Sequence, residues 1–83
     1  MSALIVFRTL MHAQRGARAL SGEGVPVNVV KAPRDADENG CAYAVRMSEK
    51  YVDRARLLLR EKDLPFGKIY HSGEDGRYRE IRP

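Results

Sequence analysis

Ala3-Leu4-Ile5-Val6-Phe7 is an unbroken apolar run rich in β-formers, the pattern of a strand with neighbours on both sides and little solvent contact. Thr9 then stands where a helix N-cap belongs. Beyond it Leu10, Ala13, Ala17 and Leu20 recur at helical spacing, while Gln14, Arg15 and Arg18 turn outward. Gly22 and Gly24 flank the end of this amphipathic helix, where a left-handed residue is easiest for glycine, and Pro26 prevents its continuation. Val27 to Val30 reads as a second strand. From Lys31 to Gly40 the apolar signal disappears, and Pro33, Asp35, Asp37, Asn39 and Gly40 mark a loop.

Strand character returns at Cys41 to Met47, with Cys41, Tyr43, Val45 and Met47 on one face and Ala42, Ala44 and Arg46 on the other. Ser48 is placed to cap a second helix, in which Val52, Ala55 and Leu59, with Tyr51 and Leu58 beside them, form the inward stripe. Pro65 closes it, and Phe66 to Tyr70 reads as a fourth strand. Residues 1–71 thus form one domain, and 72–83 are a polar tail. In that tail Gly73-Glu74-Asp75-Gly76 is a good turn, so Arg77 to Ile81 either adds an edge strand beside the fourth or frays.

Shifting the chain by 39 positions lays one half on the other without a gap: Val6 on Val45, Thr9 on Ser48, Leu20 on Leu59, and Val25-Pro26 on Leu64-Pro65. Two successive β-α-β units in so short a chain predict an α+β, ferredoxin-like βαββαβ sandwich. Its four-stranded antiparallel sheet would carry both helices on one face and leave the other open.

Composition narrows the functional classes. At 83 residues, 43% hydrophobic and 31% charged, the chain has material for one hydrophobic core. A domain this small often gains stability by oligomerising, so a homodimer through the open sheet face is expected. The apolar run at 3–7 is too short for a signal peptide or a membrane span. A single cysteine forms no internal disulfide and fits a reducing, cytoplasmic setting. The net charge of +4, with eleven Arg against four Lys, raises nucleic acid as a partner. However, the cations are dispersed among eleven acids, Tyr43 lies on the face assigned to the helices, and neither central strand carries an aromatic-rich recognition sequence on which bases would stack.

Candidate chemistry centres on Cys41. A lone cysteine is most often a buried small hydrophobe. The ferredoxin-like topology, though, sets the start of the third strand beside the end of the first, bringing the thiol to Arg8 and to the first helical turn at Thr9 and His12. Helix N-termini and nearby cations lower a thiol pKa from about 8.5 to as little as roughly 3.5–7.5, producing a nucleophile at neutral pH. His12 could orient sulfur or shuttle a proton, against its ordinary use as an exposed helix residue or cap, and Arg34 could stabilise an anion, against its ordinary use as a solvated loop residue. A metal site from Cys41, His12 and His71 is conceivable, but its ligands are scattered and no other Cys is present.

Thr9, His12-Ala13, Gly24-Val25-Pro26-Val27, Pro33-Arg34 and the cysteine opening the third strand occur in the order and spacing of a known group. Over about residues 3 to 70 the chain resembles the selenium/sulfur (Se/S) carrier-like family of small bacterial proteins, a domain-of-unknown-function family. It departs from the pattern at the thiol, where Asn39-Gly40-Cys41-Ala42 replaces a Ser-Ser-Cys-Gly type. The resemblance implies a carrier or accessory protein rather than an enzyme, with no cofactor. Cys41 would accept sulfur or selenium as a persulfide or selenosulfide from a donor such as a cysteine desulfurase and pass it to an acceptor. The alternatives from the residues alone are a dimeric interaction module with a structural Cys41, and a ferredoxin-like RNA-binding domain.

Overall fold

The computed structural model of the protein describes residues 2–33 and 42–81. In chain order the elements are strand β1 (Ser2–Phe7), helix α1 (Leu10–Gly22), strands β2 (Asn28–Lys31) and β3 (Tyr43–Ser48), a 3₁₀ turn at Glu49–Tyr51, helix α2 (Val52–Glu61), and strands β4 (Ile69–Ser72) and β5 (Tyr78–Ile81). The strands form one five-stranded antiparallel sheet in the order β2-β3-β1-β4-β5. β1 lies at its centre, pairing Ile5 with Val45 on one side and with Ile69 on the other. This explains its unbroken apolar run, since Leu4 and Ile5 are buried although they point to opposite faces.

One core fills the space between sheet and helices. Ala3, Ile5, Phe7, Val45, Met47 and Ile69 meet Ala13, Leu20, Val52, Ala55 and Leu59 there. Gly16 also faces inward, and a Cβ on it would come within 2.6 Å of the Phe7 ring, so the absent side chain is what lets Phe7 seat under α1. Leu10, expected in the inward stripe, is instead 41% exposed at the first helical position.

The opposite face of the sheet carries a second apolar cluster of Leu4, Ala32, Ala44 and Tyr70, with Val6, Val30, Ala42 and Tyr78 packed on it. Its centre is not open as expected, because Leu4 and Ala44 are 1% and 0% accessible within the single chain.

The tail resolves into a strand. β5 pairs with β4 from Ile69↔Ile81 to Ser72↔Tyr78, extending the expected four strands to five. Asp75 builds the connecting turn: its carboxylate accepts from the Arg77 backbone N–H at 3.0 Å and from Arg79 Nη2 at 3.0 Å, and Gly76 supplies φ +80. Those bonds, led by the Arg77 amide, hold the Asp75 carboxyl below the ordinary aspartate value.

The two halves correspond, but not without a gap. On the helices the shift is 39, since Ala13, Gly16 and Leu20 match Val52, Ala55 and Leu59. On the strands it is 40, since Ala3, Ile5 and Phe7 face the helices as Tyr43, Val45 and Met47 do. The gapless alignment sets Val6 on Val45, yet Val6 packs in the second cluster and Val45 in the core. A one-residue slip reverses every side chain of a strand. The second half therefore enters its helix one residue sooner, through the 3₁₀ turn, whose greater rise per residue spans the same path with less chain.

Candidate functional site

Three of the residues singled out in the sequence come together where β1 runs into α1. Thr9 has extended backbone (φ −136°, ψ 162°) and caps α1, its Oγ1 accepting the His12 backbone N–H at 3.1 Å. The same Oγ1 lies 2.7 Å from His12 Nδ1. If the hydroxyl donates to Nδ1, the imidazole is held as the Nε2–H tautomer, with that nitrogen left for another partner. Arg8, immediately before the cap, is exposed and has no ion pair or hydrogen bond to any described residue. Cys41 and Arg34 lie outside the described residues.

Arg8 and His12 border a cavity of about 440 Å³. Its remaining walls are mostly apolar: Val6 and Phe7 from β1, Ala42 at the approach to β3, and Pro65, Phe66 and Gly67 ahead of β4. Ala42 is the residue bonded to Cys41 in the chain. The cavity thus gathers a cation and an imidazole with one nitrogen occupied, beside the N-terminus of α1. Such a setting stabilises a negative charge more than it does a neutral group.

Sequence reasoning read Phe66 to Tyr70 as a strand and so missed the far wall. The strand begins at Ile69. Ahead of it, Gly67 N–H donates to the Val6 carbonyl at 2.7 Å, and Val6 N–H donates to the Lys68 carbonyl at 3.0 Å. A Cβ on Gly67 would come within 3.2 Å of Val6 O, so glycine permits this close approach. The readable signal was Pro65-Phe66-Gly67 itself: a proline and a glycine bracketing an aromatic suit a bend better than a ladder.

The two histidines are not neighbours. His71 pairs across from Ala3 at the start of β1, whereas His12 follows its end. His71 Nδ1 lies 3.2 Å from Glu49 Oε1, close enough for an ion pair when the ring is protonated, but no hydrogen bond forms there. Among the described residues no three His, Cys, Asp or Glu side chains cluster to hold a metal ion, and no helix is long and apolar enough to cross a membrane.

Neither the curated proteins nor the solved structures give a match to this chain. A family model does: the one described as "Putative Se/S carrier protein-like" matches residues 2–71, and the chain belongs to that family.

Proposed function

We propose that the protein is a carrier that holds sulfur or selenium on Cys41 and hands it on. The observation that carries this reading is the cavity bordered by Arg8 and His12 and reached by Ala42, the chain neighbour of Cys41, in a member of the Se/S carrier-like family. The finer architecture belongs to the same reading. Two βαβ units with β3 between β1 and β2 support the ferredoxin-like arrangement, with β5 added beyond β4.

In the transfer step, the Cys41 thiolate attacks the outer sulfur of a donor persulfide. A new S–S bond forms, the donor S–S bond breaks, and the donor sulfur leaves as a thiolate. The charge of one thiolate replaces that of another, so no oxidant or reductant enters. Selenium follows the same course when the donor's outer atom is selenium. Release repeats the step, with an acceptor thiolate attacking the carried atom. Arg8 and the first amides of α1 favour the anionic sulfur, and His12 orients the departing thiolate by a hydrogen bond from Nε2–H. Protein donors of this chemistry include cysteine desulfurases, and the lone cysteine fits a reducing cytoplasmic compartment.

Incubation with a cysteine desulfurase and cysteine, followed by intact-mass measurement, will add one sulfur to the wild type and none to Cys41→Ser. Absence of an adduct with several persulfide donors would overturn the reading. Arg8→Ala in the folded protein will slow loading and raise the thiol pKa, which a pH series of alkylation rates measures.

A further inference from the structure

We propose that the outer face of α1, together with the cavity at its start, is a docking surface for an acidic segment of a partner protein, one that places an apolar side chain in the cavity. From Ser2 to Gly22 the chain carries Arg8, His12, Arg15 and Arg18 and neither Asp nor Glu. Ala13, Gly16 and Leu20 face the core, and Met11, Arg15 and Arg18 recur at helical spacing on the solvent side. Met11 is 62% exposed.

Two of the three arginines of α2, and Lys62 just beyond it, have partners. Arg56 meets Asp53 at 2.7 Å, Arg54 donates to the Glu23 carbonyl at 2.9 Å, and Lys62 lies 3.8 Å from Glu23. Arg8, Arg15 and Arg18 have no ion pair or hydrogen bond to any described residue. Unpaired guanidinium groups along one helix select carboxylates by charge complementarity. The apolar elements select the rest of the ligand. Met11 precedes His12, which borders the cavity, and the cavity's walls include Phe7, Pro65 and Phe66, so a Leu or Phe flanked by acids satisfies both features. The outer face of α1 carries no Phe, Tyr or Trp on which a nucleic-acid base could stack, which favours protein over nucleic acid. No reaction at Cys41 is required, so the proposal stands or falls separately from the carrier chemistry.

The test uses full-length Cys41→Ser protein, which excludes sulfur exchange, and two labelled probes: a short peptide of Glu and Asp around one central Leu, and a single-stranded oligonucleotide of equal charge. Anisotropy and amide chemical shifts are recorded at low and at physiological salt. The peptide should bind, with shifts concentrated at residues 8–18 and 66–67. The pair Arg15→Glu and Arg18→Glu, checked for native circular dichroism, should weaken it about tenfold or more. The milder pair Arg15→Gln and Arg18→Gln should weaken it less, and replacing the peptide's Leu by Gly should weaken it independently of salt. Failure of the peptide to bind at low salt, shifts centred elsewhere, or tighter binding of the oligonucleotide than of the peptide each overturns the proposal.

Discussion

Both helices finish with the same hydrogen bonds. Val25 N–H reaches the Leu20 carbonyl and Gly24 N–H that of Ser21, each at 3.0 Å, and Leu64 N–H reaches Leu59 at 2.9 Å and Asp63 N–H reaches Arg60 at 3.1 Å. Each is a Schellman close with a left-handed residue, Gly24 at φ +84 and Asp63 at φ +59, followed by an apolar contact of Val25 or Leu64 with the core. The beginnings differ. Thr9 caps α1 with its side chain, whereas Ser48 makes no such bond and a 3₁₀ turn leads into α2. The shared ends belong to packing, which both halves need equally. The unshared beginning falls where the cavity is, so the halves diverge at the corner where we propose that the sulfur transfer takes place.

Breaking the shared part should have the largest effect. Leu20 and Leu59 are both 0% accessible, so Leu20→Ala and Leu59→Ala should each cost about 2–5 kcal/mol. Urea unfolding that showed one of them near zero would end the equivalence of the halves. Next come the left-handed positions. Gly24→Ala should cost about 1 kcal/mol or more, whereas Asp63→Gly should be neutral or stabilising by a few tenths, about 0.3 kcal/mol, because it relieves an unfavourable φ while adding chain entropy. Thermal melts of the two variants should therefore move in different directions or by clearly different amounts.

The unlike beginnings make a sharper prediction. Thr9→Ala should lose about 1 kcal/mol, and Ser48→Ala about zero. Equal losses would mean that Ser48 caps α2 in solution after all. The smallest effect lies in the β4–β5 turn. The Asp75 carboxyl is held below its ordinary value by the Arg77 amide and the Arg79 guanidinium. A depressed folded pKa means that this contribution is present above the unfolded aspartate value and disappears as pH falls through the folded one. Amide resonances of Gly73 to Arg79 should therefore shift together in acid below the usual aspartate range, and Asp75→Asn should abolish that titration.

The sequence pattern was a good guide to elements and a poor one to phase. Alternation identified the faces of β3, because Ala42 and Ala44 interleave with Tyr43 and Val45, and Tyr43 does pack with the helix side. In β1 every residue from Ala3 to Phe7 is apolar, so nothing in the pattern says which of them face the helices. The slip between Val6 and Val45 was therefore invisible. β5 has only Tyr78 and Ile81 as apolar residues, and the turn that pairs it depends on Asp75 meeting Arg77 and Arg79 across a hairpin. At the site, Thr9 and His12 were readable because a cap and its third residue are local. Pro65 to Gly67 are readable as a bend but not as a wall of the cavity, because the hydrogen bonds that bring them to Val6 span most of the chain.

The clasp between Gly67 and Val6 has a consequence for how such a cavity can change. The far wall is hung from β1 by main-chain bonds, in which neither Pro65 nor Phe66 uses its side chain. Exchange of Phe66, which is half-buried against the core, for another apolar residue then reshapes the cavity while those main-chain bonds stay in place. The aperture of the cavity is adjustable without renegotiating the sheet, which lets one framework be refitted to different visitors.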